Sequence, residues 1–471
     1  MKIAKKSPEI KVKNEELIST MLDELRMAVR WQRPSILVST CQSDLVMTLA
    51  QLDLQNRLLK HRLDVIQVVI NPKNFDILPD LAHSPRREES VFFVSGLDHG
   101  GGVDGMNAYR ALNMRRELLV DFQVRAVFWL SEKEANDLPS NALDFWAFRH
   151  HTLELSGKIT PRKVLSVTRK LNPESWQAEA LLRESPAGIN LRQDLLNEIP
   201  EWKEAPVIRA ELLMSLAGLN WAAGTLSLAR DQVKQSLQIA RDQSLASLQA
   251  RSWNGLGLVL ESLNHPDQAL ESFQRSLKLD PALASAWENL GLHYRRSNEP
   301  EKAVGASLKA LELDPHLLNS WLNLAVIHAN QGKLDLALQA CRKALRMKPK
   351  NESALRLEGS LLLQKRQHSA ALQAFQKANR VNHLNADTWS QLAQLYKEMG
   401  LINQAMRAFY KVARLDPKSA LPWVEIARLY RKKNKFVEAR RAYRSAIALD
   451  PANQDYRQAL TACTSRQVPS A

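Results

Sequence analysis

Residues 284–317 read ASAWENLGLHYRRSNEPEKAVGASLKALELDPHL, and residues 386–419 read ADTWSQLAQLYKEMGLINQAMRAFYKVARLDPKS. Both segments have tryptophan at the fourth place, Leu-Gly or Leu-Ala at the seventh and eighth, alanine at the twentieth and Asp-Pro near the end. Their starts are separated by three periods of 34 residues. A fixed period of this size indicates a solenoid, and 34 residues is the length of a unit of two helices.

The same period holds over six units, which begin at residues 250, 284, 318, 352, 386 and 420. Its tryptophans are Trp253, Trp287, Trp321, Trp389 and Trp423. The fourth unit departs from the pattern, with Leu355 in place of tryptophan, Glu358 in place of leucine and His383 in place of proline. We therefore predict six helix pairs over residues 250–453, of which the fourth is degenerate.

The spacing within a unit has a physical explanation. Trp389, Leu392, Ala393 and Tyr396 stand at i, i+3, i+4 and i+7, so they share one apolar face of a helix. The small residue on this face allows the second helix to approach closely, and the recurring alanine is its counterpart on that helix. Proline cannot continue the second helix, so each unit ends there. One helix pair cannot bury its faces alone, so stacking of the units forms the core.

This pattern closely resembles the tetratricopeptide repeat (TPR). In the fifth unit it is carried by Trp389, Leu392, Ala393, Tyr396, Ala405, Phe409 and Pro417. The resemblance covers roughly half of the chain and implies an all-α TPR superhelical solenoid whose first helices line a groove. A weaker helical pair is predicted at 207–249, and a capping helix with a loose tail at 454–471.

Composition limits the remaining possibilities. The chain of 471 residues has a formal net charge of +15 and a pI of about 9.7, which suggests acidic partners or a well-solvated basic surface. Its three cysteines form no spaced cluster, so neither a disulfide framework nor a zinc site is expected, and a reducing, cytoplasmic location is predicted. We expect no signal peptide and no membrane span.

The N-terminal third has a different pattern. After a basic, disordered lead-in at residues 1–14, residues 15–156 alternate apolar runs with helical segments. Strands are predicted at 35–40, 62–70, 90–96, 125–131 and 151–156. Continuous apolar strands separated by helices indicate an α/β domain with a mostly parallel sheet covered on both faces. Residues 157–206 are predicted to be a helical linker.

Ligands of such sheets bind at the carboxyl ends of the strands. The loop after the first strand contains Cys41 but neither the glycines nor the lysine of a phosphate-binding loop. Cys41 is interpreted as a small packed residue. The loop at 96–105 offers Asp98, Gly100 and Gly101, where a carboxylate could hold magnesium and glycines could admit a phosphate. A plain connecting loop is the alternative.

Four segments of this domain resemble the STAND-type P-loop ATPase domains found in bacterial TPR proteins. They are Gly-Leu-Asp at 96–98, LNMRRE at 112–117, FWL at 128–130 and DFWAFR at 144–149. The resemblance implies an anion or nucleotide site that includes Arg115, Arg116 and Arg149. A structural role, in which they pair with Asp144 or Glu117, is the alternative. No cofactor, metal or catalytic residue is predicted.

The TPR resemblance also indicates where a partner would bind. Positions two, five, nine, twelve and thirteen of each unit are predicted to face the groove, and their basic residues include Arg295, Arg296, Arg356, Lys397, Arg428 and Arg431. By the same resemblance, Asn289 and Asn323 can hold the backbone of a ligand. The sixth unit carries eight Lys/Arg against three Asp/Glu, and the second four against five. An acidic, extended segment is therefore the predicted partner, with a merely solvated face as the alternative.

These observations favour a non-enzymatic interaction scaffold. The alternative is a nucleotide-dependent switch with the repeats as sensor, which the missing phosphate loop argues against. Nucleic acid is an unlikely partner because the tryptophans and tyrosines occupy packing positions, which leaves few aromatic rings for base stacking.

Overall fold

The computed structural model describes residues 14–85, 87–101, 107–155, 160–171 and 186–464. The predicted lead-in before residue 14, most of the tail, the end of the 96–105 loop and part of the predicted linker lie outside these ranges. Contacts divide the chain into two bodies, residues 1–281 and 282–471. The first predicted TPR unit therefore groups with the N-terminal body, and each body is described by itself.

The N-terminal body contains a parallel sheet of five strands in the order β2-β3-β4-β1-β5. The strands are β1 (Ser35–Cys41), β2 (Asp64–Val69), β3 (Ser90–Ser95), β4 (Arg125–Ser131) and β5 (His151–Leu155). Each lies within one or two residues of its predicted position. The apolar strand runs thus form the predicted parallel sheet.

Both faces of this sheet are covered, because successive strand residues point to opposite sides. On one face Phe92 and Phe128 pack beneath the helices that follow β2, β3 and β4. On the other face Leu37 and Trp129 pack against the first two helices. The helices up to residue 155 are α1 (Asn14–Arg30), α2 (Asp44–Lys60), α3 (Leu78–Ala82), α4 (Ala108–Arg115), α5 (Glu117–Asp121), α6 (Glu132–Asn141) and α7 (Leu143–Ala147).

The described part of the predicted helical linker contains two helices. Two helices within it, α8 (Pro161–Leu171) and α9 (Pro186–Glu198), bury Val164 and Leu195 in a cluster that includes Leu52 of α2. The pattern of apolar residues on these helices gives them a packed face, which the prolines obscured. The rest of the body is α10 (Ala205–Ala222), α11 (Leu226–Asp242), α12 (Ala246–Ser262) and α13 (Pro266–Leu279).

The C-terminal body consists of helix pairs in the predicted order. The first helices of units two to six are α14 (Ala284–Arg296), α16 (Leu318–Asn330), α18 (Glu352–Gln364), α20 (Ala386–Glu398) and α22 (Leu421–Lys432). The second helices are α15 (Pro300–Leu313), α17 (Leu334–Met347), α19 (His368–Val381), α21 (Ile402–Leu415) and α23 (Phe436–Leu449), followed by α24 (Gln454–Thr464). Each second helix packs on its own first helix and on the helix that follows it.

The small residue on each first helix permits this packing. A Cβ atom on Gly359 would lie 2.6 Å from the ring of Phe375, and one on Gly291 would lie 2.8 Å from the hydroxyl of Ser307. The degenerate fourth unit therefore keeps the contact that joins its two helices. The tryptophans of the repeat are only half-buried, whereas Phe375 is completely buried.

Candidate functional site

The carboxyl edge of the sheet carries a compact polar network around Asp98. One carboxylate oxygen of Asp98 accepts a hydrogen bond from Tyr109 Oη at 2.8 Å, and the other contacts Lys133 Nζ at 2.8 Å. The backbone N–H of Asp98 donates to Glu134, whose other carboxylate oxygen caps α6 through Ser131. The ammonium group of Lys133 therefore occupies the position beside Asp98 at which the sequence suggested a magnesium ion.

The charges in this network stabilise one another. The hydrogen bond from Lys133 is the main cause that lowers the pKa of the Asp98 carboxyl, and it outweighs the effect of burial. The same contact raises the pKa of Lys133. Both groups are therefore held in their charged forms, and Asp98 is a paired carboxylate rather than an open metal ligand.

Arg149 does not join Asp98 in one site. Arg149 lies just before β5, at the amino edge of the sheet, where its guanidinium stacks 3.6 Å from the ring centre of Trp146. Asp98 follows β3 at the carboxyl edge. A strand of six or seven residues separates the two edges by roughly 20 Å. Gly100 packs beside Ala108 at the start of α4. A Cβ atom on Gly101 would meet no atom of the described residues within 4 Å, apart from its neighbours in the chain.

Arg115 and Arg116 each have an acidic partner. Arg115 contacts Asp76 at 3.2 Å, and Arg116 contacts Asp144 at 3.5 Å and Glu117 at 4.0 Å. Asn113 accepts hydrogen bonds from the backbone N–H groups of residues 144 and 145. Arg116 and Asn113 thus join the LNMRRE and DFWAFR segments, in the pairing that the structural alternative described for Arg116. Arg115 pairs instead with Asp76, which lies outside both segments.

The loop after β1 has no arrangement for phosphate or nucleophilic chemistry. Ser43 accepts a hydrogen bond from the N–H of Val46 and begins α2. Cys41 is buried, and burial raises the pKa of its thiol to about 12. A thiol of this kind stays protonated at neutral pH and is a poor nucleophile.

The second candidate site is the first-helix surface, defined as the side of α14, α16, α18, α20 and α22 that carries the predicted groove residues. Neighbouring first helices contact one another here: Ser320 donates to Glu288 at 3.3 Å, Thr388 to Glu352 at 3.1 Å and Gln391 to Ser360 at 3.1 Å. Polar side chains therefore join the first helices of units two and three, and those of units four and five.

Three of the six predicted basic residues on this surface form ion pairs. Arg356 lies 3.7 Å from both Glu352 and Asp387, and Lys397 contacts Glu425 at 2.6 Å. Arg428 contacts the same glutamate at 2.5 Å. Burial would raise the pKa of the Glu425 carboxyl, but its two cationic partners lower it. These three cations therefore have acidic partners on this surface, and Lys397 and Arg428 share one glutamate.

The other predicted groove residues differ in accessibility. Arg296 and Arg431 are exposed, and Arg295 is half-buried. Burial, and then the adjacent Arg296, lower the pKa of Arg295. Asn289 and Asn323 are 2% and 7% exposed, and Asn323 donates to Ser307 Oγ at 2.8 Å. Their predicted role in holding a ligand backbone stays a prediction.

Two residues of this surface were missed in the sequence. Gln391 and Glu425 stand at position six of their units, the same position as Asn289 and Asn323. Comparing position six in every unit would have identified both Gln391 and Glu425. Gln391 also lines a cavity between units four and five, together with Ser360, Gln364, Arg366, His368 and Gln394.

Buried polar atoms without a hydrogen-bond partner are concentrated on the first helices. In the described part of the C-terminal body there are six such side-chain atoms. Five are on first helices: Arg295 Nε, Asn323 Oδ1, His328 Nδ1, Arg356 Nε and Gln391 Oε1. Buried polar groups are normally hydrogen-bonded, so the first helices carry the polar groups of this body that are least satisfied within the chain. Among these atoms, Arg356 Nε lies at ion-pair distance from Glu352, 3.7 Å.

These features define a scaffold of stacked helix pairs joined to a parallel α/β domain. Five of the six predicted units, at residues 250–283, 284–317, 319–351, 386–419 and 420–453, match family models described as tetratricopeptide repeat. These segments are tetratricopeptide repeats. The fourth unit is not among the matched segments, although its two helices form. The matches do not extend to the α/β domain, and its STAND-type resemblance stays a hypothesis.

Several solved structures are similar to part of the chain. One of them is YrrB, described as a TPR protein with an unusual peptide-binding site. It is 22% identical to this chain, with a TM-score of 0.35, and the match covers 41% of this chain and 99% of YrrB. PilF of Pseudomonas aeruginosa is 20% identical, with a TM-score of 0.40, over 44% of this chain and 95% of that one. A tetratricopeptide repeat protein of Parabacteroides merdae is 18% identical, with a TM-score of 0.40, over 54% and 99%. No curated protein matches the chain.

Two further observations, on membrane spans and on metal sites, hold for the described residues. No helix there is both long enough and apolar enough to span a bilayer. The same ranges contain no group of three or more His, Cys, Asp or Glu side chains placed to hold a metal ion.

Proposed function

We propose that this protein is a non-enzymatic scaffold that binds an extended segment of a partner protein on the first-helix surface. Stacked repeats create extended binding surfaces of this kind, and TPR proteins generally mediate protein–protein interactions. The observation that carries the proposal is the concentration of unpartnered polar atoms on the first helices. An extended peptide backbone supplies the N–H donors and C=O acceptors that these atoms lack.

The chemistry expected of the bound segment differs along this surface. Over units four and five, Arg356 and Lys397 already have acidic partners, so backbone and amide contacts with Gln391 and Ser360 fit better than an acidic side chain. Arg431, by contrast, is exposed and has no ion pair among the described residues. An acidic residue of the partner is proposed for that end only.

Two features support a non-enzymatic interpretation of the α/β domain. The loop after β1 lacks a phosphate-binding lysine, and Asp98 is paired with Lys133 at 2.8 Å. We therefore expect no heat of binding when millimolar ATP or GTP with magnesium is titrated into the full chain. Micromolar binding, abolished by Asp98→Asn, would instead favour the nucleotide-dependent switch.

The scaffold proposal is tested by selecting peptides from a random 12-residue display library against the full chain. Selected peptides should bind the wild type and lose at least about tenfold in affinity to an Arg295→Ala/Gln391→Ala variant, which corresponds to about 1.4 kcal/mol. Fluorescence anisotropy of labelled peptides measures the loss.

The matched control is Arg230→Ala/Gln238→Ala, which removes the same residue types from the exposed side of α11. This variant should bind the selected peptides as the wild type does. Selected peptides that bind equally well to the Arg295→Ala/Gln391→Ala variant would place the binding surface elsewhere.

A further inference from the structure

The positive charge of the C-terminal body lies on its second helices rather than on the first-helix surface. In the last three units, the second helices α19, α21 and α23 carry eight Lys/Arg and one acid, Glu438. The first helices α18, α20 and α22 of the same units carry five Lys/Arg and five Asp/Glu. The excess of positive charge in the helices of these three units therefore lies on the second helices.

These cations occupy fixed positions of the repeat. Positions 22, 26 and 29 of a unit are four and three residues apart, so they form one row along the second helix. We define the second-helix basic face as the cations at these positions in units four to six: Lys377, Arg380, Arg407, Lys411, Arg414 and Arg441. Five of the six are exposed, and Lys411 is half-buried. On α21 all three positions of the row are filled by cations.

The positive charge of the second-helix basic face is also not balanced by neighbouring carboxylates in the described part of the chain. In unit two the same row contains Lys309 at position 26 and Glu312 at position 29, and the two form an ion pair at 2.8 Å. Position 29 is arginine in units three, four and five. Within the described residues, none of the six cations of the face has an ion-pair partner. Like charges at i and i+4, such as Arg407 and Lys411, destabilise a helix. A contribution to the stability of the fold therefore does not explain why these cations are present.

The chemistry of the face selects one kind of partner. Protein interfaces have an apolar or aromatic centre with few charges, whereas nucleic-acid interfaces are polar and strongly positive. The exposed large apolar residues described on α19, α21 and α23 are Val381, Val437 and Leu449, which lie near helix ends, and none is aromatic. The row itself therefore offers neither a hydrophobic centre nor a side chain that would insert into a bilayer.

We propose that the second-helix basic face binds the phosphate backbone of double-stranded nucleic acid, without reading its sequence. Arginine and lysine on a helical surface are the usual ligands of phosphate oxygens, and such contacts need no stacking aromatic ring. The scarcity of exposed aromatics, which argued against nucleic acid in the sequence, excludes base stacking only. This binding is independent of the first-helix surface, so a partner peptide and a duplex can be bound by the same body.

The test measures binding of a fluorescent 20-base-pair DNA duplex of arbitrary sequence to the full chain between 50 and 200 mM KCl. The variant Arg407→Gln/Lys411→Gln/Arg414→Gln should weaken binding at least about tenfold at 100 mM KCl. It should also reduce the slope of log K against log salt by about 2.7, because each phosphate that is no longer neutralised lowers the slope by roughly 0.9. Circular dichroism should show an unchanged or higher Tm, because like-charge repulsion is removed.

The matched control is Lys302→Gln/Lys309→Gln/Lys365→Gln, which removes the same charge from ion-paired positions of the same body. It should keep the wild-type slope to within about one unit. Absence of duplex binding at 50 mM KCl, or an equal loss in the control, would overturn the proposal. So would face-dependent binding to vesicles with 30% phosphatidylserine, or to polyglutamate, in the absence of duplex binding; these results would assign a membrane or an acidic protein instead.

Discussion

Replacing Phe375 with alanine is expected to lower the local free energy of unfolding of the fourth unit by about 3–5 kcal/mol, the range for truncation of a buried aromatic residue. The ring is completely buried and packs against Gly359 of the facing helix. This unit lacks the repeat tryptophan, so the Phe375 contact has no aromatic substitute. Hydrogen exchange of backbone amides in α18 and α19, followed by mass spectrometry, should show protection reduced by about two to three and a half orders of magnitude.

Two variants control this prediction. Phe436→Ala removes the same ring from a half-exposed position at the start of α23, so its effect should be less than half as large. Gly359→Ala changes the same contact on the facing helix. Its new methyl group would overlap the ring of Phe375, which should lower the free energy of unfolding by about 1–3 kcal/mol. Equal effects of Phe375→Ala and Phe436→Ala would show that burial of Phe375 does not stabilise the unit.

The second large effect is expected from Arg251→Ala in the N-terminal body. The guanidinium of Arg251 contacts both carboxylate oxygens of Glu211, at 2.5 and 3.1 Å, and Glu211 is almost completely buried. Removing one member of a buried pair leaves the other charge without adequate compensation, which costs about 3–5 kcal/mol. Arg169, 3.8 Å from Glu211 and mostly exposed, offers only a weaker replacement. The midpoint of urea unfolding, followed by circular dichroism, measures the loss.

An exposed arginine of the same body provides the comparison. Arg230 contacts Asp231 at 3.2 Å with both side chains open to water, so Arg230→Ala should cost no more than about 1 kcal/mol. Adding Glu211→Gln to Arg251→Ala should recover part of the stability, because the buried charge that has lost its closest partner is then removed. If Arg251→Ala and Arg230→Ala prove equally mild, Glu211 is not a buried ionic link between α10 and α12.

The repeat fold could be predicted because its determinants are local and recur. Tryptophan, the small residue and proline fix the face, the contact and the end of each unit, and six copies make their period unmistakable. The parallel sheet could be predicted for a similar reason, since its strands are continuous apolar runs. The tryptophans were less informative about burial, because their size leaves part of the ring at the surface while Phe375 fills the space between helices.

The candidate sites could be predicted only in part, because pairing between distant residues cannot be read from spacing. Nothing in the sequence near Asp98 indicates that Lys133, which is 35 residues away, forms an ion pair with its carboxylate. The ion pairs of the groove could not be predicted for the same reason: Lys397 and its partner Glu425 are 28 residues apart. The separation of charge between first and second helices, in contrast, was visible in the sequence once each unit was divided into its two helices.

The central claim is that the first-helix surface binds an extended partner segment, and hydrogen exchange on the full chain with a peptide selected by display tests it most directly. We expect added protection in α14, α16, α18 and α20, the first helices that carry Arg295, Asn323, Arg356 and Gln391, and none in the α/β domain. Protection confined to the second helices or to the α/β domain would contradict the account, because the unpartnered polar atoms of the first helices would then have no role in binding.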